Sequence, residues 1–453
     1  MNRNIIKYRI TPRVLHADIP QTITVECLDE PWKFRDEIEQ TIEITSVYDW
    51  EYKNGDNCYH TNRDCTDVIK CHSKNGVITI NYCFKGEGEW KIKIIPEKLP
   101  DEVIEHHKKY HWEFRLPNLA AGMDFVVYSL KEDLYNKNVY KGDLHIHSWG
   151  SDGWESPEFM ASQYRKYGFD FMTLTDHYKL QPSLDLIKSF ESVPTSFKIF
   201  PGEEVHAIDL HHIHMVNFNP KTSVNDLIEN HREKTLTEIH KIAETLDLPN
   251  KADRLEKAWY IWVYKEIKKA GGIAIFPHPY WRCLDSQNMR EKTVEMLFEE
   301  KLFDVFEIVG GNDMRGNRHQ IQLYTQKATE GYKYPVVGSS DSHSALQNHL
   351  SHFNDSWTFV FAEDTKKIPE NILKGYSVAV ENNNPNEKNV VGDYRLVKYS
   401  WFLIEHYFEL HDFFCMAAGQ AILDYMQGDK SNIHLIEALE NRLEKYRKEF
   451  FGK

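Results

Sequence analysis

The stretch GDLHIHSWGSDG, Gly142 to Gly153, places two histidines one residue apart, then a serine, then an aspartate five residues after the second histidine. On a strand, His145 and His147 point to the same face, because side chains alternate with period two, and Leu144 and Ile146 face a packed layer on the other side. Two adjacent imidazoles make a poor core element, since each carries a polar nitrogen that needs a partner. They make a good half of a metal site, since neutral imidazole is a common ligand for Zn, Mn and Fe. Alone, the pair is weak evidence for a metal and also reads as two satisfied structural histidines, so the remainder of the chain has to supply the other ligands.

At 453 residues the chain is long enough for two or three domains with sizeable cores, and its 41% hydrophobic and 27% charged residues are those of a globular protein. A formal net charge of −14 argues against generic nucleic-acid coating or attraction to anionic membranes, although cations can still hold an anionic substrate locally. The N-terminus MNRNIIKYRI lacks the apolar run and cleavage pattern of a secretion signal. No stretch approaches the roughly 18 apolar residues of a membrane span, so the expected compartment is the cytoplasm. Seven cysteines read as reduced thiols. Cys58, Cys65 and Cys71 cluster with His60 and His72, but at spacings that match no compact zinc pattern, so loop and strand thiols are the default.

Residues 1–135 read as an all-β accessory domain. TITVECL, TIEITSVYDWEY, GVITINYCF, EWKIKIIP, HWEFRLP and DFVVYSL are short β-rich runs separated by turn-prone segments, which suggests a small sandwich. From about Val139 strands alternate with helical stretches, the sign of an α/β domain, here taken as 136–393. PEFMASQYRKYG is a predicted helix with Pro157 early and Gly168 at its end. A mostly helical passage over 222–270, broken by DLPN, is longer than a usual crossover and reads as an insertion over the site. The segment 394–453 reads as two helices, the first aromatic and apolar on more than one face, hence a core element or a contact in a homo-oligomer.

Nearly every predicted strand of the middle domain carries a metal-competent residue at or just past its C-terminal end. The first gives His145 and His147 with Asp152 in the loop; TLTDHY gives Asp176 and His177. PGEEVH gives Glu203, Glu204 and His206, and HIHMVNF gives His212 and His214. AIFPHPYW ends in His278, DVFEIVGG holds Glu307, and GSSDSH holds Asp341 and His343. In an α/β barrel the C-terminal mouth is where strand ends and loops converge on one active site, so dispersed positions become neighbours.

Together DLHIHSWGSDG, TLTDH, PGEEVH, HIHMVNF, FPHP and GSSDSH resemble the polymerase-and-histidinol-phosphatase (PHP) metalloesterase superfamily, and the opening is most similar to the branch that includes carbamate-ester hydrolases. The resemblance spans about Tyr140 to Leu350 and covers neither the β-rich front nor the helical tail. It implies a distorted (β/α)7 barrel holding two or three divalent metal ions, often Zn, Mn or Fe. By motif, His145, His147 and Asp341 would hold the first; Glu204 would bridge it to a second held by His214 and His278; Asp152, His177 and His343 would form the third. Glu204 is preferred to Glu203 because the family spacing is Pro-Gly-x-Glu, and His214 to His212 because MVNF follows it. The chief departure is the long helical passage before His278.

A cluster of divalent ions lowers the pKa of bound water and polarises a phosphoryl oxygen. With no GxSxG-type nucleophile motif, the expected chemistry is hydrolysis of a phosphate ester of a small molecule or nucleotide by metal-activated water. A non-phosphate ester such as a carbamate, or a metal-stabilised binding module, are the other classes; long nucleic acid fits poorly with the acidic balance. Asp176 reads either as a partner orienting an imidazole or as a helix N-cap. Arg282 and Arg315 read as forked donors to phosphate oxygens or as surface salt-bridge residues, with Asn312 and His319 as further candidates. His206 and His211 read as leaving-group acids or solvated loop residues, and Tyr280 and Trp281 as an apolar wall or ordinary packing.

Overall fold

The computed structural model describes residues 7–49, 67–109, 122–208, 210, 212–283, 286–311, 313–346, 351–382 and 387–453. Cys58, His60, Cys65, His211, Asn312 and the HWEFRLP segment lie outside them. The chain divides into two compact units, Met1–Asn136 with Trp401–Glu409 and Arg442–Lys453, and Lys137–Ser400 with Leu410–Asn441.

In the first unit the β-rich runs form β1 (Tyr8–Thr11), β2 (Val14–His16), β3 (Pro20–Cys27), β4 (Glu39–Ser46), β5 (Asp67–His72), β6 (Val77–Cys83), β7 (Gly88–Pro96) and β8 (Met123–Leu130), with helices α1 (Asp101–Lys109) and α2 (Glu132–Tyr135). Among the described residues they pair as β1-β3-β6 and β2-β8-β7-β4-β5. Alternation does the work: every second residue of β4 (Gln40, Ile42, Ile44 and Ser46) is buried. Ile23, Val25, Ile78 and Ile80 of the first sheet share one core with Ile42, Ile44, Ile92, Ile94 and Val127 of the second. Cys27, Cys71 and Cys83 carry free thiols, and the His72 ring faces a backbone oxygen, Nδ1 lying 3.1 Å from Asp36 O.

The second unit is mixed α/β. Its strands are β9 (Asn138–Asp143), β10 (Phe171–Thr173), β11 (Lys198–Phe200), β12 (Gly202–His206), β13 (His214–Phe218), β14 (Ile273–Phe276), the hairpin β15 (Arg282–Cys283) and β16 (Ser286–Gln287), β17 (Val305–Val309), β18 (Val336–Gly338), β19 (Ser356–Ala362), β20 (Ser377–Glu381) and β21 (Asn389–Gly392). Its helices are α3 (Pro157–Lys166), α4 (Gln181–Ser189), α5 (Val224–Asn230), α6 (Arg232–Thr245), α7 (Lys251–Lys269), α8 (Glu291–Glu299), α9 (Met314–Thr329) and α10 (Ile368–Leu373). The tail folds into three helices rather than the two expected, α11 (Tyr394–His406), α12 (Phe408–Met426) and α13 (Ile433–Phe451), because the long aromatic run breaks at Tyr407.

The strands do not build a regular (β/α)7 cylinder. Two curled sheets form, β11-β10-β9-β19-β20-β21 and β12-β13-β14-β17-β18. The connection over 207–213 is too short for the dozen or more residues a parallel crossover needs, so β12 and β13 pair antiparallel. Among the described residues, backbone pairing between the two sheets consists of single parallel bridges, Ile146–Ser342 and His177–Glu204, both at donor-bearing strand ends. The sheets also share a core that includes Phe171, Val360, Phe218 and Val337.

The helical passage does not cover the site. Trp259, Trp262, Val263 and Ile267 of α7 and Ile239 of α6 share a core with Val205, Met215, Ala274 and Phe276. Because Val205 and Glu204 are neighbours on β12, they point to opposite faces, and the helices pack on the face away from Glu204. Among the described residues no helix is long and apolar enough to cross a membrane.

Helix α3 begins as its sequence dictates, with the Ser156 hydroxyl accepting the Phe159 N–H at 3.2 Å and Pro157 following. It is anchored by Arg165, whose fully buried guanidinium donates to Glu440 (2.8 Å), Ser196 (3.1 Å) and the Phe169 carbonyl (3.1 Å). Removing one partner of a buried pair strands the other, so Arg165→Met should destabilise the protein by about 3–5 kcal/mol in urea denaturation. Pairing it with Glu440→Leu should recover most of that loss, because the stranded Glu440 charge is then gone while Asp170, 3.7 Å from Arg165, keeps the Lys141 N–H and His411.

Candidate metal centre

The strand ends bring their donors together around one carboxylate. Glu204, fully buried on β12, has Oε1 2.8 Å from His214 Nδ1 and 3.5 Å from His278 Nε2. Its Oε2 lies 2.8 Å from His177 Nδ1, 3.4 Å from His145 Nε2, and 3.5 Å from both His147 Nε2 and His206 Nε2. Asp341 Oδ1 is 3.0 Å from His147 Nε2 and 3.3 Å from His145 Nε2. Asp152 Oδ2 is 3.4 Å from both His177 Nε2 and His343 Nε2. All nine residues that the motif implies as ligands, His145, His147, Asp152, His177, Glu204, His214, His278, Asp341 and His343, therefore lie in one cluster.

Five groups within it have donor atoms all within 4.8 Å of one another: His147–Asp152–His177–His343, His145–His278–Asp341, His145–His147–Glu204, His177–Glu204–His206 and Glu204–His214–His278. Several of these buried donors, His145 Nε2, His147 Nδ1, Glu204 Oε2, His206 Nδ1 and His278 Nδ1, lack a hydrogen-bond partner although other donors crowd them. A bare buried polar atom costs about 1–3 kcal/mol, and a divalent cation satisfies several at once. The donor set thus fits a metal.

Electrostatics point the same way. Burial alone would raise the Glu204 and Asp341 carboxyls, yet the imidazoles around them, His177, His145 and His214 for Glu204 and His145, His147 and His278 for Asp341, hold both well below the usual carboxylate range. Burial, reinforced by the neighbouring His177, drops His147 to about 3. Against burial, the Glu204 and Asp152 carboxylates lift His177 to about 10.

Backbone and supporting side chains fix the donors. His278 and Asp341 have φ of 25° and 52°, and Tyr178, next to His177, has 61°, a sparsely populated region for non-glycine residues. Glu307 is fully buried; its Oε2 accepts from His145 Nδ1 at 3.2 Å and its Oε1 from the His278 N–H at 3.2 Å. That turns His145 Nε2 toward Glu204 and Asp341. The sequence places Glu307 on its strand without revealing this role, which requires β14 and β17 to be neighbours.

Beneath the cluster, Asp143 accepts the His145 N–H (3.1 Å), the Ser340 N–H (3.1 Å) and the Tyr164 hydroxyl (3.0 Å). The Ser340 and Ser342 hydroxyls sit 2.9 and 2.6 Å from the same Tyr164 oxygen. One buried phenol thus ties the His145 strand to the loop bearing Asp341 and His343. Burial raises the Asp143 carboxyl to about 7 despite these bonds.

Other predicted residues take different places. Asp176 neither caps a helix nor accepts from an imidazole; it takes the Ser148 N–H (2.8 Å), the Ser148 hydroxyl (2.7 Å) and the Ser151 hydroxyl (2.7 Å), pinning the loop that carries Asp152. His206 is not a solvated loop residue. It is buried inside the cluster, 2.6 Å from His177 Nδ1, and burial lowers it to about 4. Glu203 faces away and accepts from Asn217, Ser223 and the Val224 N–H at the start of α5. His212 pairs with Glu256 at 3.0 Å outside the cluster.

Arg282, Arg315 and His319 line a separate cavity of about 140 Å³ with Tyr280, Gln287 and Gly316. Neither arginine forms a surface salt bridge among the described residues. Tyr280 is buried and donates to Glu291 (3.2 Å), whereas Trp281 is partly exposed, as are Trp149, Trp154 and Tyr178 on the donor loops.

No family model matches the chain, and no curated protein matches it. Among solved structures, it is similar to a two-domain protein containing a predicted PHP-like metal-dependent phosphoesterase from Bacteroides vulgatus (19% identity over 54% of this chain and 66% of that one, TM-score 0.37). It also matches a protein described by inference as a metal-dependent phosphoesterase from Bifidobacterium adolescentis (16% identity, 52% and 96%, TM-score 0.36). An amidohydrolase from Chromobacterium violaceum matches at 16% identity, 45% and 87%, with a TM-score of 0.31.

Tyr164→Phe removes the hydroxyl that Asp143, Ser340 and Ser342 share, without touching a donor. The expected outcome is a loss of about 10–100-fold in metal affinity, measured by competition with a chelating dye. A purely structural role would lower the melting temperature and leave that affinity in place.

Proposed function

We propose that this chain is a metal-dependent hydrolase of phosphate esters, acting on a small-molecule or nucleotide substrate, with the cluster around Glu204 as its active centre. The observation that carries the proposal is the convergence of His, Asp and Glu donors from separate strand ends on one buried carboxylate, with several donor atoms left bare. His145, His147 and Asp341 would hold one ion, Glu204, His214 and His278 a second, and Asp152, His177 and His343 a third, with Zn, Mn and Fe the metals suited to such ligands. Bound there, divalent cations supply Lewis acidity and water of lowered pKa.

The chain's own groups set the stage for that chemistry. Glu204 presents its two oxygens to different sets of imidazoles, Oε1 to His214 and His278 and Oε2 to His145, His147, His177 and His206, so it would be shared between ions held on either side. Glu307 fixes the ring orientation of His145, and Asp176 fixes the loop of Asp152. Asp152 is more than half exposed and His343 partly so, whereas Glu204, His145 and His147 are fully buried, so the Asp152–His177–His343 side is the open one and the natural entry for substrate. Arg282 and Arg315 supply guanidinium groups for anion recognition.

Single substitutions His145→Ala and Asp341→Ala should abolish turnover and lower the bound metal found by elemental analysis, while the circular dichroism spectrum stays that of the parent. Full activity of either variant in a metal-replete assay overturns the proposal. Substrate class is read from p-nitrophenyl phosphate, bis(p-nitrophenyl) phosphate and an aryl carbamate, each with Mn, Zn and Fe. Release from a phosphate ester is expected. Turnover of the carbamate alone would move the chain to the non-phosphate esters, and metal uptake without any turnover would make it a binding module.

A further inference from the structure

Strand β4 sends every second residue inward, and the row reads Gln40, Ile42, Ile44 and Ser46. Gln40 is only 2% exposed. Its amide nitrogen donates to the Ile38 carbonyl at 3.2 Å, but its Oε1 has no hydrogen-bond partner. Pro96, opposite it on β7, has neither an N–H nor a polar side chain to offer. A bare buried carbonyl is unfavourable, so an amide at the head of this row calls for a donor from outside the protein.

Gln40 lines a cavity of about 230 Å³, against the ~10–15 Å³ that one water needs, so a small organic molecule has room. The cavity takes Tyr8 from β1 in one sheet and Gln40, Ile94 and Met123 from β4, β7 and β8 in the other. Trp32 and Phe34, on the connection from β3 to β4, add two more rings. The Tyr8 and Phe34 rings stand 6.1 Å apart at 32°. Three aromatic rings and buried aliphatic side chains around a free acceptor suit a flat, largely apolar molecule that carries a hydrogen-bond donor.

Charge selects among such molecules. The lining holds the cations Lys7, Lys33, Arg35 and Lys98 and one acid, Asp124, in a chain of formal net charge −14. The acids paired with these cations, Asp29, Glu30, Glu102 and Asp101, are outside the lining. Asp124 is itself paired with Lys91 at 2.9 Å. The Lys7 ammonium lies 4.0 Å from the centre of the Trp32 ring and 5.8 Å from that of Tyr8, so a positive charge stands beside the aromatic wall. An acidic group on the bound molecule is thereby favoured and an amine disfavoured.

All of these residues belong to the first unit, and no donor of the metal centre is among them. Binding here does not depend on the chemistry of the cluster. We propose that the β-rich unit is a binding module for a small aromatic acid, with the ring against Tyr8, Trp32 and Phe34, a ring N–H or O–H on Gln40 Oε1, and the anionic group toward Lys7.

Calorimetric titration of the full-length protein with indole-3-acetate, 1-methylindole-3-acetate and tryptamine tests each feature in turn. Indole-3-acetate supplies ring, donor and charge and should occupy one site per chain. Methylation of the ring nitrogen removes the donor and should weaken binding about 10-fold or more. Tryptamine keeps ring and donor but reverses the charge, and should also bind more weakly than indole-3-acetate. In Gln40→Met the difference between the two acids should vanish while the methylated one binds as it does to the parent, a pattern that a misfolded variant cannot give. Trp32→Ala should bind indole-3-acetate about 10-fold more weakly or worse.

Equal affinity of the parent for the two acids would mean that a water already serves Gln40. Equal affinity for indole-3-acetate and tryptamine would mean that the cations do not reach the ligand, and unchanged binding in both variants would place the site elsewhere. Each of these results overturns the proposal, as does a parent that takes up no indole-3-acetate at millimolar concentration.

Discussion

A carboxylate without solvent, Glu204, surrounded by six imidazoles, is the constraint around which the second unit is arranged. Removing a carboxylate from water costs several kcal/mol unless other charges answer it, and Asp341 adds a second such demand alongside. No single strand can place enough partners around one point. Two curled sheets instead turn donor-bearing ends toward it, and the residues one position away, Leu144, Ile146 and Val205, pack into apolar layers. Period-two alternation thereby separates a polar interior from an apolar exterior within the same strands.

Support for the donors comes from groups that are themselves buried. Glu307 holds His145, Asp143 and Tyr164 hold the backbone beneath it, and Asp176 holds the serine loop ahead of Asp152. Each of these carboxyl groups accepts two or three hydrogen bonds that fix the position of its neighbours. Left-handed backbone at His278 and Asp341 belongs to the same economy: strain persists where the surrounding contacts over-determine the conformation.

The parts of this arrangement that depend on local pattern are legible in the sequence. Two HxH pairs, TLTDH, FPHP and GSSDSH place imidazole and carboxylate donors at strand ends, and Ser156-Pro157 announces α3. What depends on pairing is not. A distorted seven-unit barrel is what the family resemblance implies, but nothing local says that β19, β20 and β21 extend the other sheet, and only a short connection hints that β12 and β13 run antiparallel. The long passage over 222–270 looks like a cover when read by length alone; its tryptophans prove to be core for the outer face of the sheet. The roles of Tyr164 and Glu307 are hidden for the same reason, since a phenol in a helix and a glutamate in a strand acquire meaning only from the elements beside them.

The two sheets of the second unit join through one bridge at Ile146–Ser342 and another at His177–Glu204. Elsewhere each strand is secured by several ladder bonds, so one faulty residue can be absorbed by its neighbours. At these seams the ladder shrinks to a single bridge, backed by side chains such as Thr358 and Ser377 on the backbone of β18, and the same residues, or their immediate neighbours, are the donors. Shape and chemistry are therefore coupled along this line: a residue that widens the pocket also loosens the wall.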